Sequence, residues 1–156
     1  MKYSIFTVLL GLIAFASCVS SLAAPQLTPL FTALLSVKPA AIGITVQGGE
    51  ASIISITGGS ISGPALNATV SGGLASASML NNGTYQMEQI DFYGSTTDET
   101  PFFAAMTGTG DLTPLTSRMQ LDIGGSYAYL ATGYILVVSG PTPNKTSVIA
   151  DAYLVT

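Results

Sequence analysis

The residues able to carry chemistry are few: eight carboxylates, seven tyrosines, four lysines and arginines, and no histidine in 156 residues. Without histidine the usual general base, the usual metal ligand and the Ser-His and Cys-His nucleophile pairs are excluded. Acid/base work must then rest on a carboxylate displaced by burial or by a neighbouring charge, with a tyrosine as proton donor. Asp151 is the best single candidate, because Val148-Ile149-Ala150-Asp151-Ala152-Tyr153-Leu154-Val155 is otherwise apolar. In a strand, Asp151 shares a face with Ile149, Tyr153 and Val155, and a carboxylate buried there needs partners or a function. The bland reading is a structural Asp held by a tyrosine hydroxyl or by Arg118 to fix strand register. Glu88 and Asp91 are three apart and so lie on opposite strand faces. Asp91 travels with Tyr85, Met87 and Tyr93 and is expected to face the interior, whereas Glu88 is expected in solvent. Tyr127 and Tyr129, two apart, either line a ligand cavity or fill it.

Other constellations read more plainly. Arg118 and Asp122 share the polar face of one strand, where a surface ion pair is expected. Asp98 and Glu99 fall far short of the roughly six to eight oxygens that calcium takes, so no metal site is expected. Gly58-Gly59-Ser60 and Gly72-Gly73 are followed by neither lysine nor helix and are not phosphate loops. No cofactor is expected.

The elements that must position these residues begin after a leader. Lys2, an apolar run from Ile5 to Ala16 interrupted only by Thr7 and Gly11, and the small residues Ser21 and Ala23 form a secretory signal pattern. The run is too short for a comfortable membrane span. Cleavage after Ala23 separates a signal peptide, residues 1–23, from a domain of residues 24–156. A lipoprotein box at Phe15-Ala16-Ser17-Cys18 is the minority reading. The one cysteine, Cys18, goes with the leader, so the mature chain has no disulfide, thiolate metal site or cysteine nucleophile. It retains Lys38, Arg118 and Lys145 against all eight carboxylates. That balance argues against nucleic acid and against stable membrane association after cleavage, and for a secreted protein with a hydroxyl-rich surface.

No helix-period segment follows the leader; short strands alternate with glycine-rich or polar turns. Leu30 to Val37, Ile42 to Gln47, Ala51 to Thr57 and Ser60 to Ser62 read as strands, with Gly48-Gly49, Gly58-Gly59 and Gly63-Pro64 as turns. Leu66, Ala68 and Val70 share one face of the next strand, which Gly72-Gly73 ends. Leu74 to Leu80 and Thr84 to Tyr93 form a hairpin across Asn81-Asn82-Gly83. Phe102 to Thr107, the strand of Met119, Leu121 and Ile123, Tyr127 to Ser139, and Thr146 to Val155 complete a set of about nine to eleven strands. An open sheet with so few charges would expose unpaired edges, so a single closed or nearly closed antiparallel β-barrel is favoured over a sandwich.

The glycine pattern also carries a resemblance. Ile56-Thr57-Gly58-Gly59, Gly63-Pro64-Ala65-Leu66 and Ser71-Gly72-Gly73, with Tyr127-Ala128-Tyr129-Leu130 and Asp151-Ala152-Tyr153 near the end, resemble a family of small bacterial and fungal β-barrel proteins, domain of unknown function 3237. Pro29-Leu30-Phe31 is similar to the usual start of its first strand. The chain has Leu74-Ala75-Ser76 where members usually have Ala-Asp-Trp, Asp98-Glu99-Thr100 for Asp-Asp-Gly, and Tyr129 for tryptophan. The resemblance implies a barrel, and a member lacking any carboxylate shared after the second Gly-Gly.

Three functions stay open. A secreted barrel binding a small hydrophobic or phenolic molecule leads, with Tyr85, Tyr93, Tyr127 and Tyr129 as ligand-binding candidates. A cofactor-free isomerase, cyclase or lyase would use Asp151 or Asp91 with Tyr153. A ligand-free surface protein is the third. Asn67-Ala68-Thr69, Asn82-Gly83-Thr84 and Asn144-Lys145-Thr146 are glycosylation sequons, used if the chain passes through a eukaryotic secretory route.

Overall fold

The computed structural model describes residues 23–38, 42–80, 85–110 and 114–156. The signal-peptide expectation, with Cys18, and the Asn82 sequon lie outside the described residues. Among the described residues nine strands follow in chain order: β1 (Leu27–Val37), β2 (Ile42–Val46), β3 (Gly49–Ser62), β4 (Ala68–Leu80), β5 (Tyr85–Thr96), β6 (Pro101–Gly110), β7 (Leu115–Ile123), β8 (Ile135–Pro141) and β9 (Ser147–Val155). The order β1-β9-β8-β7-β6-β5-β4-β3 returns to its start through an antiparallel β1–β3 pairing, so eight strands close a barrel. β2 pairs with the first part of β3, at Gly49 to Ile53, and stands outside the wall.

Alternation dictates the interior. β7 is buried at every odd position from Leu115 to Ile123 and exposed between, as a strand with one wet face requires. Phe92, Met106, Met119, Leu121, Ile135 and Val137 fill the lumen, and each buried side chain of this size contributes about 1.5–3 kcal/mol. Small inward residues, Ala33, Ala104, Ala150 and Ala152, make room for the large ones. Phe92 meets Phe102 edge to face at 6.2 Å between ring centroids.

The glycine pairs behave differently from expectation. Gly58-Gly59 and Gly72-Gly73 are not turns but lie within the long strands β3 and β4. A Cβ at Gly59 would sit 2.2 Å from the Leu34 carbonyl oxygen, so a side chain there would prevent β1 from closing the barrel. Gly72 marks a register shift after Val70 against β5. Diglycine signals a bend in a strand as readily as its end. The connection at 63–67 is the turn between them, tied by Asn67, whose Nδ2 donates to the Gly63 carbonyl at 3.1 Å.

The expected strand from Tyr127 is also corrected. Gly125–Tyr127 is a 3-10 turn running into a single helical turn, α1 (Ala128–Ala131). Alanine and leucine favour helix, and a single inward residue, Leu130, is all this stretch must bury. Leu130 and Leu66 are fully buried and lie in the connections at one end of the barrel. The opposite end carries the turn at 47–48, the connection at 142–146, the end of β4 and the start of β5.

Candidate functional site

The inward face of β5 is Glu88, Ile90, Phe92, Gly94 and Thr96, because Ile90 and Phe92 are buried while Met87 and Tyr93 are exposed. This reverses the sequence expectation: Glu88 faces the lumen and Asp91 the outer surface. The apolar reading of Met87 and Tyr93 misled, since both lie on the outside, where isolated large apolar residues are ordinary. The signal that could have found Glu88 was its phase with Ile90 and Phe92.

Glu88, Gly108 and Ser117 form one cross-strand row on β5, β6 and β7. Gly108 has no side chain, and the Glu88 carboxylate reaches over it. Ser117 Oγ donates to Glu88 Oε1 at 2.6 Å, and Ser139 Oγ on β8 donates to the same oxygen at 3.0 Å. A Cβ at Gly108 would lie 2.2 Å from Ser117 Oγ and 2.5 Å from the Thr116 carbonyl oxygen, so the row requires glycine. Ser117 and Ser139 are 2% and 3% exposed, while Glu88 is partly exposed. The inward neighbours on β3 and β4, Ser52, Ile54, Ala75 and Ala77, are partly exposed as well. The lumen is therefore packed at one end and capped at the hairpin end by a polar floor under a mouth of small residues. Two hydroxyl donors fix the carboxyl orientation, and Oε2 accepts no hydrogen bond among the described residues. A ligand hydroxyl or amine could donate there.

The other candidates are dispersed. Asp151 and Tyr153 share a face, as expected, but it is the outer one, because Val148, Ala150, Ala152 and Leu154 take the inner side. Asp151 Oδ1 accepts from Thr32 Oγ1 at 2.6 Å, a bond between β9 and β1. Asp151 and Tyr153 border a shallow outer hollow of about 110 Å3 with Thr32, Ser62 and Pro64. Asp91 Oδ2 accepts from Gln89 at 3.1 Å on the outer face, where Tyr93 stands opposite Phe103. Tyr129 is 57% exposed on α1, and Tyr127 packs against the core from the closed end. The Tyr85 side chain lies outside the described residues. A hollow of about 540 Å3 is a groove on the outside of the wall, lined mainly by outward residues such as Ser78, Met87, Gln89 and Thr107. No group of three or more metal-ligating side chains occurs among the described residues.

Arg118 does not pair with Asp122, since four positions along a strand span about 13 Å. Its guanidinium lies 5.3 Å from the Tyr134 ring centroid instead, a cation–π contact. Thr96 Oγ1 donates to Asp98 Oδ1 and accepts from the Thr100 amide, and the Thr96 bond holds the Asp98 carboxyl below its ordinary value. Asn67 and Asn144 are exposed, as their sequons require.

The model of the family described as protein of unknown function (DUF3237) matches residues 25–122. No curated protein matches the chain. Among solved structures, a β-barrel-like protein from Acinetobacter baumannii is similar over 88% of this chain and 99% of its own, at 20% identity and a TM-score of 0.73. A conserved protein of unknown function from Rhodopseudomonas palustris is similar over 86% and 100%, at 15% identity and a TM-score of 0.76. A protein from Penicillium herquei described as an enzyme is similar over 88% and 98%, at 22% identity and a TM-score of 0.70.

Proposed function

The chain belongs to the DUF3237 family of proteins of unknown function, and on that premise we propose that it is a secreted barrel binding a small hydrophobic or phenolic molecule at the barrel mouth. The observation that carries this reading is the Glu88 carboxyl, oriented by two buried serines and partly open to solvent. A polar acceptor fixed in an otherwise apolar interior is the usual way a concave site orients a ligand. The ligand hydroxyl donates to Glu88, while its apolar body rests on Ala75, Ala77 and Ile54. A ligand carboxylate or phosphate is disfavoured, because Glu88 offers only acceptors to it when ionised. The leader is removed after Ala23 on export; intact-mass analysis of secreted protein beginning elsewhere than Ala24 would refute that.

The binding test is a thermal-shift panel of phenolic and hydrophobic compounds on the wild type and on Glu88→Ala. A compound that stabilises the wild type and not the variant supports the site. If no compound shifts the wild-type melting temperature, the ligand-free reading replaces this one.

A second reading, a cofactor-free isomerase, cyclase or lyase, draws on the Penicillium herquei relative being described as an enzyme. In it the proton-transfer role assigned from sequence to Asp151 or Asp91 passes to Glu88, the carboxyl that faces the lumen. Mass spectrometry of bound compound separates the readings: unchanged ligand after long incubation favours binding, and an isomeric product favours catalysis.

A further inference from the structure

The outer face of β4 to β7 is mostly polar, and one cross-strand row breaks that pattern. Gly72, Tyr93, Phe103 and Asp122 stand opposite one another across the four strands. Tyr93 is 53% and Phe103 42% exposed, two adjacent rings rather than an isolated one. Gly72 makes room for the first. A Cβ there would lie 3.3 Å from the Tyr93 hydroxyl and 3.6 Å from its Cζ, so the side chain lies across β4 instead of standing off the sheet. Two polar pairs frame the rings. Gln89 Nε2 donates to Asp91 Oδ2 at 3.1 Å on β5, and Gln120 Nε2 donates to Asp122 Oδ1 at 3.3 Å on β7. Each bond orients a carboxylate and leaves its amide a second N–H to donate. Asp91 Oδ1 and Asp122 Oδ2 accept no hydrogen bond among the described residues.

We infer that this face binds a neutral polysaccharide chain, its sugar rings laid on Tyr93 and Phe103 and its hydroxyls donating to Asp91 and Asp122. An aromatic ring takes the C–H face of a pyranose, and oriented carboxylates and amides meet adjacent hydroxyls as acceptor and donor. Charge selects this occupant. A uronate or phosphate would meet two carboxylates, and Arg118, the only basic residue between Ala68 and Ile123, is turned to the Tyr134 ring. A protein covering the rings would strip water from both carboxylates and owe each a cation, whereas sugar hydroxyls donate from a ligand that stays wet. The surface continues along β5 from Tyr93 to Met87, about 20 Å. There the hydroxyls of Ser78, Thr107, Thr109 and Thr116 line the outer groove, giving room for several linked sugars. This site is on the outer wall and is separate from the Glu88 mouth.

The test is native electrophoresis of the purified chain in gels cast with hydroxyethylcellulose, mixed-linkage β-glucan or galactomannan, and with alginate as the anionic comparison. At least one neutral polymer is expected to retard the wild type, and alginate is not. Tyr93→Ala and Phe103→Ala each raise the dissociation constant read from retardation by about three- to tenfold. Phe103→Tyr, which keeps a ring, retains retardation, as does Ile149→Ala on the far wall. Thermal melting at the wild-type temperature shows that the ring variants remain folded. Retardation by no neutral polymer overturns the inference, as does retardation that both alanine variants keep or that alginate produces equally.

Discussion

Gly108→Ala is the most demanding test of the polar floor. The new methyl would lie 2.2 Å from Ser117 Oγ, 2.5 Å from the Thr116 carbonyl oxygen and 2.7 Å from Ser117 Cα. The serine hydroxyl can rotate away, but two of these three contacts are with backbone, so β6 and β7 must separate locally. Overpacking of this kind costs about 1–3 kcal/mol. Rotating Ser117 away also breaks its bond to Glu88, worth about 0.5–1.5 kcal/mol as a typical net hydrogen bond. The sum, about 1.5–4.5 kcal/mol, is a large fraction of the stability of a small domain. It is read as a lower urea midpoint at unchanged slope. Adding Ser117→Gly to Gly108→Ala removes the hydroxyl clash but not those with Thr116 O and Ser117 Cα, so rescue is partial. A single variant as stable as the wild type would show that β6 does not pass this close to β7, and the Glu88 row would be wrong.

Other perturbations separate the inner carboxyl from the outer ones. Glu88→Ala leaves the buried hydroxyls of Ser117 and Ser139 without their acceptor and is expected to cost about 1–3 kcal/mol in urea unfolding; a neutral result would place Glu88 in solvent. Asp151→Ala removes an exposed bond to Thr32 and is expected to stay within about 1 kcal/mol of the wild type by the same assay. Tyr134→Ala loses the contact with Arg118 and costs about 0.5–1 kcal/mol beyond Tyr134→Ala in an Arg118→Gln background. The Asp98 carboxyl is lowered in the fold, so its contribution is present above 3.8 and disappears as pH falls through the lowered value. An NMR titration midpoint below 3.8 that returns towards 3.8 in Thr96→Val is expected; a midpoint at or above 3.8 in the wild type would contradict the hydrogen bond. In secretory expression, N-glycosidase treatment is expected to increase gel mobility, and Asn144→Gln to abolish part of that change.

The family match and the barrel agree with what could be read from the glycine pattern and from strand alternation. The antiparallel pairing of β4 with β5 and the inward set Leu66, Ala68 and Val70 were equally legible, because strand period and period-two burial are local properties. Tyr127 to Leu130 was not legible as a helical turn. Its residues are apolar or small at every position, and only the packing of Leu130 at the barrel end selects the helix. Glu88 was missed for a related reason: local sequence tells which residues share a face, but not which face turns inward.

By itself, the sequence established that strands dominate beyond the N-terminal apolar run, that the chain has no histidine and a single cysteine, Cys18, and that Glu88 and Asp91 must oppose each other. Covalent spacing and side-chain chemistry suffice for those statements. Which carboxyl enters the lumen was decided by tertiary structure, through the fit of Phe92 and Ile90 inside and the absence of a side chain at Gly108. So was the place of β2, which lies against the first part of β3 because β1 covers only the second half of that strand. Both depend on the register in which distant strands meet, and register is a property of the closed sheet rather than of any one strand.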